Sequence, residues 1–179
     1  TSVDFNDIKF TNENGELLSI ERLRYLISEI VLTHESGSTY TLNGYNLVDV
    51  TNNTNLSFTT SSVITPGNYT NISFRFGFEN SINIDGATEA PFNYHAIRAV
   101  NTTDPNNLLF QDTSFVVNLG PVIIGNSTGI HIKMDISEWF KNPNTWDLNV
   151  LNTVLMPNFN AQVMMNANGA SVFSLVNVT

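Results

Sequence analysis

From Tyr69 to Phe78 the chain alternates cleanly: Ile72, Phe74, Phe76 and Phe78 fall on one parity, and Asn71, Ser73, Arg75 and Gly77 on the other. Side chains of an extended chain point to opposite faces with a period of two, so the pattern predicts a strand with one buried face. A helix would scatter the same apolar residues around its circumference. The stretch Thr65-Pro66-Gly67-Asn68 precedes it as a turn, with Pro66 where a fixed φ is already suitable.

Short packets of this kind, separated by polar turn clusters, recur along the whole chain. Ser2 to Phe10 alternates with a slip after Asn6, as at a bulge. Thr11 to Gly15 reads as a turn. Leu17 to Leu32 is strongly apolar, with a helix as the competing reading. The β-rich run Ile30-Val31-Leu32 favours a strand from about Leu23 to Thr33. His34 to Ser38 is a hairpin turn, Thr39 to Leu42 returns, Asn43-Gly44 is a turn, and Tyr45 to Val50 is another strand. Leu108 to Leu119 and Gly129 to Ile136 read as two more, with Asn118-Leu119-Gly120-Pro121 between segments. Ser137 to Lys141 predicts one helical turn capped by Ser137. Asn158 to Val172 predicts a short helix capped by Asn158, with Phe159, Val163 and Met164 on one face. Phe173 to Val178 closes as a strand. The expectation is an all-β protein: one antiparallel β-sandwich domain over residues 1–179, with one or two short helices in the C-terminal third.

The chemistry-bearing residues are few. With a net charge of -9, phosphate backbones and anionic lipid are poor partners. No Cys is present, so disulfides and thiolate metal sites are excluded. No apolar run approaches the roughly 20 residues that span a bilayer. Thr1 reads as following a removed leader. No nucleophile elbow, phosphate loop or zinc-protease motif occurs, so an enzyme is not expected. Asn-x-Ser/Thr sequons recur, as an Asn- and Thr-rich sequence produces by chance.

Three His and four Met remain as candidate ligands. His34 lies in a turn, which suits a solvated residue. His131 shares the polar parity of a strand with Lys133. His95 follows Phe92-Asn93-Tyr94. Thioethers suit Cu(I), and Met is equally an ordinary core filler. Met164 and Met165, adjacent on the expected helix, are the Met candidates, with His131 a further imidazole. Tyr40, Tyr45 and Tyr69 are candidates for an aromatic binding face, though cross-strand packing explains them too.

Several stretches, in order, resemble one family. Glu21-Arg22-Leu23-Arg24-Tyr25-Leu26-Ile27-Ser28 and the residues after it, Tyr45-Asn46-Leu47-Val48-Asp49-Val50, Thr65 to Phe78, and Met164 to Leu175 are similar to motifs of MbnP-like copper-binding domains, the methanobactin-associated periplasmic proteins and their relatives. The resemblance implies an antiparallel β-sandwich outside the cytoplasm that holds Cu(I) with few ligands. Phe92-Asn93-Tyr94-His95 matches the family's ligand segment, so His95 is the metal ligand it implies. The family's Trp-rich segment, which in copper-binding members brings a Trp oxidised to kynurenine and a second ligand, has no counterpart between about Gly86 and Pro91. Trp139 and Trp146 lie far downstream.

The resemblance therefore implies copper acquisition or handling at the cell envelope. The location would be the periplasm or cell surface of a Gram-negative bacterium, with a lipid anchor upstream of the sequence. The implied partner is an outer-membrane transporter or envelope complex. The rival expectation is a non-metal accessory or surface subunit that keeps the fold without a complete copper site. A carbohydrate- or peptide-binding module is a third.

Overall fold

The computed structural model describes residues 5–77, 115–126, 128–152 and 158–178. They are mostly antiparallel β-structure with one short α-helix near the C-terminus. They divide into two compact units, each drawn from separate stretches of sequence. A sheet unit takes 24–77, 115–134 and 173–178. A second unit takes 5–23, 135–152 and 158–172.

The second unit opens with two short strands, β1 (Phe10–Thr11) and β2 (Leu17–Leu18), a minimal hairpin around the expected turn at Thr11 to Gly15. The strand expected from Ser2 is shorter. Residues 2–4 lie outside the described ones, and Asn6 turns at φ 67° while donating its N–H to the Ile20 carbonyl.

The sheet unit is built on four strands: β3 (Arg24–His34), β4 (Thr39–Asp49), β5 (Gly67–Phe76) and β6 (Phe115–Ile124), in the order β4-β3-β5-β6, all antiparallel. Strands β7 (Ile130–Met134) and β8 (Phe173–Val178) form a separate antiparallel ribbon. The alternation of β3 and β5 explains the layering. Leu32, Leu42, Tyr69, Ile72, Val122 and Ile124 make one buried cluster, and Ile130 of β7 and Leu175 of β8 pack against it. Two sheet layers thus share a core, the arrangement of a sandwich. Each such side chain, fully buried, contributes about 1.5–3 kcal/mol.

Aromatic residues also pack against one another in this unit. Tyr25 stacks on Phe76 at 5.5 Å, Phe76 on Phe115 at 5.2 Å, and Phe173 of β8 meets Phe74 edge-on at 5.2 Å. These separations and tilts suit the ring quadrupoles. The Tyr69 hydroxyl, deep in the first cluster, donates to the Thr65 carbonyl at 2.6 Å. Burial first, and Tyr40 second, raise its pKa above the usual phenol value.

Two expected turns are bulges inside continuous strands. Ser28 pairs with Tyr45 and Ile30 with Leu42, so Glu29 faces both Asn43 and Gly44. Glu29 has φ 47° and Gly44 φ 114°, and β4 runs on through the Asn-Gly pair. Cross-strand pairing on both sides of the extra residue holds the strand together, which a local turn signal cannot reveal. Likewise Asn118 to Pro121 lies within β6. Gly120, at φ 84°, donates its N–H to Asn71 Oδ1, and Pro121 sits on the strand at one end of this sheet order, where a missing N–H is tolerated.

The rest of the second unit is helical and irregular. A 3₁₀ turn, Ile136–Phe140, is capped by Asp135, whose carboxylate accepts from Ser137 N–H. The expected cap, Ser137, therefore lies inside the turn. Helix α1 (Phe159–Gly169) has the expected Asn158 cap but stops before Val172. Its inward residues include Ala161 and Asn168. Val163 is exposed, contrary to expectation, because the inward face runs through Ala161, Met164 and Asn168, and Val163 falls off that line.

Candidate functional site

The described residues place only some of the expected ligands. His95, and the Gly86 to Pro91 stretch before it, lie outside them. His131 is on β7, exposed and opposite Asn177 of β8, as its alternation with Lys133 implied. Met164 and Met165 lie on α1. Consecutive helix positions are about 100° apart, and accordingly Met164 is half-buried while Met165 is 41% exposed. The carbonyl of Met165 accepts from Trp139 Nε1 at 3.0 Å. His131 belongs to the sheet unit and the two Met to the second unit. No three His, Asp or Glu side chains converge as a metal-binding group among the described residues.

His34 differs from the solvated turn residue expected. It is the last residue of β3, half-buried, with its ring edge-on to Tyr69 at 5.1 Å. Its Nδ1 accepts the Ser36 N–H at 3.2 Å and lies 2.8 Å from Ser36 Oγ. The backbone donor assigns the proton to Nε2. That nitrogen lies over Gly67, and a Cβ added there would sit 2.6 Å from it. Both ring nitrogens are thus occupied by packing or hydrogen bonding, which suits a structural His rather than a ligand. The arrangement also explains Gly67 in the turn before β5: only a residue without Cβ lets the imidazole settle there.

Two polar groups that sequence reasoning missed organise the second unit. Asn168 is 0% exposed. Its Oδ1 accepts from Asn144 N–H at 2.8 Å and Asn144 Nδ2 at 3.1 Å. Its Nδ2 donates to the carbonyls of Trp139 at 2.7 Å and Asn144 at 2.8 Å. An Asn within a helix, where it is a poor former, was the available signal. Glu16, on the hairpin, accepts from Asn12 Nδ2 at 2.6 Å, Leu148 N–H at 2.7 Å and Asn149 N–H at 3.1 Å, and also from Asn149 Nδ2. The Leu148 N–H most of all holds its pKa below the ordinary carboxylate value. Nothing in the spacing of Glu16 announces that role.

No curated protein and no solved structure matches this sequence. A protein-family model, MbnP, matches residues 1–99. That range contains β3, β4 and β5 together with the Phe92 to His95 segment, and leaves Met164 to Leu175 outside it. Since the match takes in more than half of the 179 residues, the chain belongs to the MbnP family.

Proposed function

We propose that this protein binds copper outside the cytoplasm and acquires or handles it at the cell envelope. The family match over residues 1–99, which includes His95, carries the reading. His95, the ligand that the resemblance of Phe92-Asn93-Tyr94-His95 implies, is the metal-binding residue of this reading, and neutral imidazole suits Cu(I). The protein would take up and pass on its metal as cargo, without catalysing a reaction. Periplasm or cell surface, a lipid anchor and an outer-membrane transporter as partner belong to the same proposal. No helix among the described residues is long and apolar enough to cross a membrane.

Competition against a chromophoric Cu(I) chelator tests it. The parent protein should withdraw Cu(I) from the chelator, and His95→Ala should not, with the metal-free melting temperature little changed. Equal affinity in the two proteins would remove His95 from the site.

A second reading, a non-metal accessory subunit of an envelope complex, is favoured by one specific observation. The Trp-rich segment that the resemblance implies has no counterpart between about Gly86 and Pro91. Under this reading the protein co-purifies with a membrane complex whether or not copper is supplied, and native mass spectrometry finds it without bound copper.

A further inference from the structure

The sequence contains three Asn-Gly pairs: Asn14-Gly15, Asn43-Gly44 and Asn168-Gly169. A glycine after asparagine leaves the next backbone nitrogen unshielded and able to rotate towards the asparagine amide carbon, so such pairs form succinimides readily. Here the same chemistry sits in three different surroundings.

Asn168 is buried in α1 with its amide fixed by four hydrogen bonds. Asn14 is exposed, but the N–H of Gly15 donates to the Asn12 carbonyl at 3.0 Å, and Asn14 Nδ2 reaches the Trp146 carbonyl at 3.4 Å. Asn43 and Gly44 are both exposed, and neither has a register partner, because the β3–β4 pairing steps from Ser28–Tyr45 to Ile30–Leu42. No described residue holds the Asn43 amide. Gly44, at φ 114°, is in a conformation only glycine adopts easily.

We infer that Asn43 is this protein's site of spontaneous deamidation. The Gly44 nitrogen gives up its proton to a solvent base and attacks Asn43 Cγ. A new bond from that nitrogen to Cγ closes the succinimide, the bond between Cγ and Nδ2 breaks, and ammonia leaves. Water then opens the ring at either carbonyl, giving aspartate or isoaspartate. Water is the one co-reactant, and no electron is transferred. Each event makes the protein one unit more negative than its -9. The new carboxylate arises across the bulge from Glu29, which already pairs with Arg75 Nε at 2.5 Å. Isoaspartate also lengthens the backbone where the β3–β4 register already shifts.

The test is incubation of the folded protein at mildly alkaline pH, followed by trypsin and fragment-resolved mass spectrometry. The three pairs fall in separate tryptic stretches, 10–22, 25–75 and 142–179. A parallel sample is held unfolded in guanidinium chloride. Asn43 should deamidate roughly tenfold faster than Asn14 in the folded protein, with Asn168 slower still, because local opening gates each site. In denaturant the three rates should converge to within a few-fold. Asn14 matching or outrunning Asn43 in the folded protein would overturn the inference, and so would an unchanged ranking in denaturant. Asn43→Ser should also remove most of the acidic isoforms that accumulate on isoelectric focusing, and their accumulation at the parent rate in that variant would equally overturn it.

Discussion

The two units hold themselves together by different means. In the sheet unit, long strands turn apolar side chains inward, β5 changing phase between Tyr69 and Ile72, and these meet in the Leu32–Tyr69–Val122 cluster and the Phe74–Phe76–Phe173 group. In the second unit the strands are two residues long, and two polar side chains do the organising. Asn168 ties α1 to the 139–144 segment, and Glu16 ties the β1–β2 hairpin to residues 148 and 149. Apolar burial is spread over many small contributions and is insensitive to pH. Polar ties concentrate stability in a few groups, each costly to leave unpaired. Both tryptophans, Trp139 and Trp146, lie in the second unit, so Trp fluorescence reports on that unit and tyrosine signals mainly on the other.

The sharpest attack on the sheet unit is Phe74→Ala, since Phe74 is 1% exposed and meets Phe173 edge-on. It should cost about 4 kcal/mol, read from the shift in denaturant midpoint. A loss below about 1 kcal/mol would mean the aromatic group is not a packed core.

Asn168→Ala is the matching attack on the second unit. It strands the Trp139 and Asn144 carbonyls and the Asn144 N–H, and should cost about 3 kcal/mol. The Trp emission should shift red at denaturant concentrations where the far-ultraviolet β signal is still native. Coincident transitions would erase the contrast between the units.

Gly67→Ala has a smaller effect. The added methyl displaces the His34 ring, at a cost of about 1–2 kcal/mol as in other overpacked sites. In a His34→Ala background the same change should cost little. Additive costs in that double-mutant cycle would show that the two residues do not compete for one space.

The mildest test is acid. The Glu16 pKa is lowered in the folded protein, so its contribution is fully present above the ordinary carboxylate value of 4.5 and is lost as pH falls through the lower folded value. Trp fluorescence of the parent protein should therefore change on acidification within that window, and Glu16→Gln should lack that component. The same acid transition in both proteins would assign it to other carboxylates.

How much of this is legible in the sequence follows the same division. The strand at Gly67–Phe76 is readable because a period of two is written in consecutive residues, and that at Arg24–His34 because β-branched and apolar residues run together at Ile30-Val31-Leu32. The Asn158 cap is readable for the same local reason. The bulges at Asn43-Gly44 and Gly120 read as turns because the pairing that keeps a strand going lies on its neighbours. His34 reads as a solvated loop residue because the glycine that receives its ring, Gly67, is remote in the sequence. The MbnP motifs are legible in the strands of the matched range.

By itself, then, the sequence determined the antiparallel β character, the main strand positions, the absence of cysteine chemistry and the family. The tertiary structure alone decided which polar residues are structural. The Asn12 amide finds the Trp146 carbonyl 134 residues away, and Asn168 finds Asn144 across 24. Such bonds depend on donors and acceptors meeting in space, and no periodicity along the sequence encodes that meeting.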